Sequence, residues 1–171
     1  MSDNTLMKKF EEEVWSKVPH REEKDGKVQI VNATPLIDLT NDLKECAKTV
    51  YDVDISNKDF KIYGKFDCTL LTGSIKVRPA VNIIHDAITT GKINSGTTVI
   101  EATSGNFGIA LGLLSKIGVT AIALVSRKLQ EGVFKELRNG NIRIMDLDMD
   151  ICPAPGMEDK QDALVAKATA A

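Results

Sequence analysis

Residues 97–125 read TTVIEATSGNFGIALGLLSKIGVTAIALV, and their order decides the fold. The short apolar run TTVIEA ends at a polar, glycine-containing loop, and NFGIALGLLSKI then reads as an apolar helix closed by Gly118. VTAIALV follows as a continuous apolar run, the mark of a strand buried on both faces. Strand, loop, helix and strand in this order form a βαβ unit with parallel strands. Downstream, KLQEGVFKELRN reads as a helix closed by Gly140, and NIRIMDLDM as a further strand. Upstream, Ala80, Ile83, Ile84, Ala87 and Ile88 share one helical face closed by Gly91, and FKIYGKF alternates like a strand. Three helices that each stop at a glycine suit the left-handed position just past a helix end. The alternation predicts an α/β fold with a parallel sheet flanked by helices.

The N-terminal part reads differently. Leu6, Phe10 and Val14 stand at helical spacing, and Met7 and Val18 extend the stripe. HREEKDGK reads as a charged turn or short linker centred on Gly26, and VQIVNATPLIDL as an apolar run cut by Pro35. Residues 42–50 suit a second amphipathic helix. At the other end, EDKQDALVAKATAA reads as a helix with no stop signal, so the chain is expected to be cut inside an α/β unit.

Composition narrows the function. A hydrophobic fraction of 43% with 27% charged residues is ordinary for a soluble globular protein. A net charge of -2 argues against nucleic acid, which asks for a basic face. No apolar run approaches a membrane span, and the N-terminus lacks a signal-peptide core. Cys46, Cys68 and Cys152 show neither metal-ligand spacing nor a disulfide framework, so a reducing cytoplasm is the expected compartment. Cys68 reads as a small buried filler. His20 reads as solvated in its charged turn and His85 as lying on the polar side of its helix, so no metal is assigned. Trp15 with Phe10 is expected to anchor the first helix to a larger body or a second subunit.

Two loops could carry chemistry, since parallel α/β folds place ligands at the C-terminal ends of their strands. Thr72-Gly73-Ser74-Ile75-Lys76 puts a lysine at the mouth of a helix, with Ser74 able to cap it and Arg78 adding a second positive charge. A helix N-terminus favours the neutral amine, and only a neutral amine attacks an aldehyde. Composition alone favours a solvated lysine beside a capped turn. Thr103-Ser104-Gly105-Asn106-Phe107-Gly108 gathers two hydroxyls, a carboxamide and backbone N–H groups at a helix start. That reads equally as a carboxylate or phosphate site and as a turn capped by Ser104 or Asn106.

In this order the loops resemble the fold-type II pyridoxal-phosphate enzymes, closest to cysteine synthase and cystathionine β-synthase. Asn32-Ala33-Thr34-Pro35-Leu36 is similar to the family's G-N-T-P-L segment. Residues 72–80, TGSIKVRPA, are similar to T-G-S-V-K-D-R-P-A, and residues 103–109, TSGNFGI, to T-S-G-N-T-G-I. The resemblance runs from about residue 32 to the end of the chain. It implies that Lys76 holds pyridoxal 5'-phosphate through its aldehyde and, once freed, removes the substrate's α-proton. It implies that Asn106 meets the cofactor's ring hydroxyl, and that Thr103, Ser104 and Gly105 hold the amino acid's carboxylate. The implied reaction is β-replacement on a serine-derived amino acid, cysteine synthase-like: a β-substituent leaves and a nucleophile adds. Pro79 and Thr103 fit that branch better than the serine and threonine dehydratases.

The alternatives are a dehydratase or racemase on the same fold, or a catalytically silent fragment or regulatory relative. Two departures stand out. Val77 replaces the usual Asp and Phe107 the usual Thr, which leaves open another nucleophile or an O-phosphoserine-like donor. The resemblance further implies a small amino-acid substrate, a homodimer, and neither nucleic-acid nor membrane partners. It divides the chain into 1–58, from the enzyme's larger domain, 59–150, the smaller, lysine-bearing α/β domain, and 151–171, the start of a further unit. The family's Gly/Thr-rich phosphate loop and its Ser or Thr at the pyridine nitrogen are not found after Asp148. The chain alone is therefore expected to bind the cofactor weakly.

Overall fold

The computed structural model describes residues 3–126 and 129–147. The helix expected over 158–171, the third cysteine and the end of the last expected strand lie outside them. At the centre is a parallel three-stranded sheet in the order β5 (Thr98–Ala102), β6 (Thr120–Ser126), β7 (Arg143–Leu147). Ile100 pairs with Ile122, and Ile122 with Arg143. The apolar run of β6 buries Ala121, Ala123, Leu124 and Val125, as a strand covered on both faces must.

Helices cover the sheet. α3 (Val77–Thr89) buries Val77, Ala80, Val81, Ile84 and Ile88. The expected Ile83 is instead 55% exposed, because Val77 and Val81 rather than Ile83 complete the inward stripe. α4 (Asn106–Leu111) tightens into a 3-10 segment, Gly112–Ile117, which buries Leu113, Leu114 and Ile117. α1 (Asp3–Glu13) packs on α3 and on that segment, and Leu6, Phe10, Val14 and Val18 are all at most 2% exposed. The N-terminal stripe thus shares one core with the α/β unit.

Gly91 and Gly118 take the left-handed conformation expected after α3 and the 3-10 segment. After α5 (Glu131–Asn139) it is Asn141, φ 56°, that turns left-handed, while Gly140 has φ -76°. Gly140 answers to packing. A Cβ at Gly112 would stand 3.1 Å from the Gly140 carbonyl oxygen and 3.2 Å from its Cα, so the two backbones touch.

The stretch read as a charged turn is a hairpin. β1 (His20–Lys24) and β2 (Lys27–Val31) pair antiparallel around Asp25 (φ 54°) and Gly26 (φ 69°), the conformations of a two-residue type I′ turn. FKIYGKF supplies only β4 (Tyr63–Lys65). It pairs antiparallel with β3 (Leu36–Asp38) and is not part of the parallel sheet. α2 (Thr40–Tyr51) lies between them in sequence.

His20 is not solvated. It is 6% exposed, with Nδ1 2.8 Å from the Val18 carbonyl oxygen and Nε2 2.9 Å from Glu22 Oε1. Trp15 lies against both imidazoles, its ring centroid 4.7 Å from His20 and 4.5 Å from His85. His85, half-buried, therefore packs on an aromatic ring. Cys68 is exposed, which removes its reading as a buried filler; Cys46 is also exposed, and both are free thiols. Among the described residues no helix is long and apolar enough to cross a membrane, and no three His, Cys, Asp or Glu gather as for a metal.

One polar network joins distant parts of the chain. Arg78 Nη2 donates to Asp67 Oδ1 at 2.7 Å and to Thr34 Oγ1 at 3.1 Å, while the Thr34 hydroxyl donates to Asp67 Oδ1 at 2.7 Å. Lys65 Nζ donates to the Thr34 carbonyl at 2.7 Å. The Arg78 hydrogen bond, then that of Thr34, holds the Asp67 carboxyl below its usual range.

Two tests follow from this packing. Phe10→Ala should cost about 3–5 kcal/mol in urea unfolding, the range for emptying a buried aromatic site. Asp67 has a folded pKa below its unfolded one, so its contribution is complete above the ordinary value of 3.8 and is lost as the pH falls through the depressed one. Asp67→Asn should therefore lower the urea midpoint at neutral pH, and the gap to the parent should narrow as the pH falls below the ordinary carboxyl value of 3.8.

Candidate functional site

The C-terminal end of β5 and the start of α3 face one cavity of about 400 Å³, within the range of small-molecule sites. Lys76, Thr103, Ser104, Gly105 and Asn106 all line it, joined by Glu101, Ala102, Phe107 and Val133. Two sequence motifs almost thirty residues apart thus meet at one surface.

The 103–108 loop is built around Thr103. Its N–H donates to the Leu124 carbonyl at 3.0 Å, continuing the β5–β6 pairing one residue past the strand. Its side chain is buried, and Oγ1 accepts from the Gly108 N–H at 3.0 Å and the Gly105 N–H at 3.4 Å. Neither Ser104 nor Asn106 caps the helix. Gly105 stands at the N-cap with φ 150° and ψ -102°, and the hydroxyl two residues earlier does the capping. Gly108 is needed for this, since a Cβ there would stand 2.5 Å from Thr103 Cγ2. Two of the loop's N–H groups are thereby taken, so the backbone anion site is smaller than the sequence suggests. What remains for a ligand is the Thr103 hydroxyl proton, with the Ser104 and Asn106 side chains, which are exposed and make no hydrogen bond among the described residues.

Lys76 stands at the N-cap of α3 and is exposed. Ser74 does not cap that helix. Its hydroxyl accepts from the Lys76 N–H at 3.2 Å, which shapes the turn before the helix. The next residue, Val77, is 0% exposed, so the turn is pinned by an apolar side chain driven into the core. Arg78 adds no free charge beside the amine, because Asp67 neutralises it. The Thr72 hydroxyl is buried and has no hydrogen-bond partner among the described residues.

Glu101, Ala102 and Val133 line the cavity and are not singled out by the sequence. Glu101 is a half-buried acid in the apolar strand VIEA, and burial pushes its carboxyl up. A lone charge in an otherwise apolar strand was the available signal. Val133 comes from α5, and nothing in its own sequence points to the cavity. Phe107 is half-buried; it packs against the core and closes one wall, so the departure noted at that position does fall on the cavity.

The residues present fit pyridoxal phosphate by the chemistry of the donor set. An amine suits its aldehyde, a carboxamide its ring hydroxyl, and hydroxyls a substrate carboxylate, in a cavity of suitable size. The family described as "Pyridoxal-phosphate dependent enzyme" matches residues 30–170. The chain is 36% identical over 96 residues to a cysteine synthase of Aquifex aeolicus, a match that covers 56% of this chain and 27% of that protein. It is 33% identical over 112 residues to an N-(2-amino-2-carboxyethyl)-L-glutamate synthase of Ralstonia nicotianae, covering 65% and 30%. The fold matches an O-acetylserine dependent cystathionine beta-synthase of Helicobacter pylori with a TM-score of 0.58 and 28% identity, covering 78% of this chain and 40% of that one. The chain thus spans less than a third of the length of these curated relatives. The match over residues 30–170 and the meeting of its two motifs at one cavity lead to one conclusion: this chain belongs to the pyridoxal-phosphate dependent enzyme family.

Proposed function

We propose that the chain is the lysine-bearing part of an enzyme that replaces the β-substituent of a serine-derived amino acid. The observation that carries the reading is the shared cavity of Lys76 and the 103–106 loop. The relatives support the branch, since a cysteine synthase and an O-acetylserine dependent cystathionine beta-synthase are among them. An O-acylated serine is accordingly the donor we favour.

When bound, pyridoxal phosphate supplies the electron sink that makes the α-proton labile and lets the β-substituent leave. Lys76 Nζ would hold the cofactor at its aldehyde, and the same amine, when free, would take the substrate's α-proton. Asn106 would offer a side-chain N–H to the cofactor's ring hydroxyl. Thr103 Oγ1 accepts two backbone N–H groups, so its own proton remains to be donated to the substrate carboxylate. Ser104 completes that cradle, whereas the Gly105 N–H is already directed at Thr103 Oγ1. Phe107 and Val133 form an apolar wall that keeps water from the reacting atoms.

We further propose a homodimer in the cytoplasm. The N-terminal elements expose Val28 (69%), Ile30 (64%) and Leu36 (61%), apolar surface suited to burial against a larger domain or a second subunit. The exposed free thiols of Cys46 and Cys68 suit a reducing compartment.

Incubation with pyridoxal phosphate, borohydride reduction and peptide mapping tests the reading. Label at Lys76 should exceed label at the exposed Lys116 by about tenfold, because only a built site favours one lysine among many. Equal labelling of the two would discard it. Thr103→Val keeps the shape but orphans the Gly108 N–H, and should lower stability by about 1–3 kcal/mol in urea unfolding.

A further inference from the structure

We propose that Asp67 and Thr34, acting through Arg78, are positioning residues for Lys76; this rests on the reading of Lys76 as the cofactor-holding residue. Apart from the buried Val77 at its end, the segment that carries the lysine has few contacts to fix it. Between Leu70 and Val77, both buried, Leu71 is 40% and Ile75 56% exposed. The hydrogen bonds found there are local: Gly73 N–H to the Leu70 carbonyl at 2.7 Å, Lys76 N–H to Ser74 Oγ at 3.2 Å, Val77 N–H to the Ser74 carbonyl at 3.3 Å, and Arg78 N–H to the Ile75 carbonyl at 3.1 Å. The buried hydroxyl of Thr72 finds no partner among the described residues. Such a segment has few bonds to hold it against opening.

Asp67 and Arg78 bracket it. The 2.7 Å bond between Arg78 Nη2 and Asp67 Oδ1 closes the base of the loop, and the side chains are only 29% and 15% exposed. Thr34 bonds both partners and brings in a third segment, itself fixed by the Phe66 N–H donating to the Pro35 carbonyl at 2.9 Å. Because Ala80 N–H donates to the Lys76 carbonyl at 3.2 Å, Lys76 already belongs to the first turn of the helix that carries Arg78. The anchor on the guanidinium therefore bears on the same helical turn that holds the amine opposite the 103–106 loop. The pair is partly shielded from water, where a charge-assisted hydrogen bond keeps more of its strength than an exposed ion pair does.

The test compares the parent chain with Asp67→Asn, Thr34→Val and the conservative Arg78→Lys. Hydrogen exchange of peptides over 70–78 and over 98–126 is measured, with the ratio of reductive pyridoxal-phosphate label at Lys76 to that at Lys116. We expect exchange over 70–78 to rise about tenfold in Asp67→Asn, and less in Thr34→Val, with 98–126 unchanged, as local opening requires. The label ratio should fall about tenfold with it, and Arg78→Lys should restore part of the ratio relative to Asp67→Asn. Exchange that rises evenly over both peptides, or a label ratio that stays at the parent value, overturns the positioning role. If the parent itself shows no preference for Lys76, it is the cofactor reading that fails, while the exchange data still decide whether the network holds the loop. Should Asp67→Asn not fold, Thr34→Val, which keeps the shape and both charges, decides alone.

Discussion

Burial of β6 on both faces is the constraint on which the rest of the structure depends. A strand of alanine, leucine and valine between two paired neighbours must be covered above and below. α3, α4 with its 3-10 extension, and α5 answer that demand, and α1 closes over two of them. α4 follows β5 through a short loop, and short loops after parallel strands are where side chains can be aimed at a ligand. The cavity is a by-product of this layering, since it opens where the loop after β5 meets the start of α3.

Inside the cavity the division of labour follows from burial. Thr103 and Gly108 are buried, and they shape the loop through a hydroxyl that accepts two backbone N–H groups. Ser104, Asn106 and Lys76 are exposed, and they carry the reactive groups. Alternating along the chain, one set fixes the backbone while the other is left for chemistry. Glu101 lies between the two kinds, an acid held in a strand whose neighbours are apolar.

The sequence was most legible where one periodicity ruled. β5, β6 and α3 could be read because their burial follows a strand or helix period, and the mistake at Ile83 came from choosing the wrong neighbour in the stripe. The β1–β2 hairpin escaped because almost all its side chains are exposed, leaving no alternation to see; only Asp25-Gly26 marked it. Gly140 looked like a helix stop, yet its reason for being glycine lies in Gly112, distant in sequence and adjacent in space. For the site, the motifs named Lys76 and the 103–106 loop, but nothing in them said that Asp67 would take the charge of Arg78. Long-range pairings of polar side chains leave no periodic trace. The same holds for His20, whose burial depends on Trp15 folding over it.

That stacking has an optical consequence. Trp15 is the sole tryptophan of the chain, and its indole lies against two imidazoles, one from the start of β1 and one from α3. Imidazole in its cationic form quenches indole emission, so the fluorescence of the chain is a single-site signal from the place where three segments converge. Excited at wavelengths that the two tyrosines do not absorb, emission from this one indole would follow the docking of the first helix.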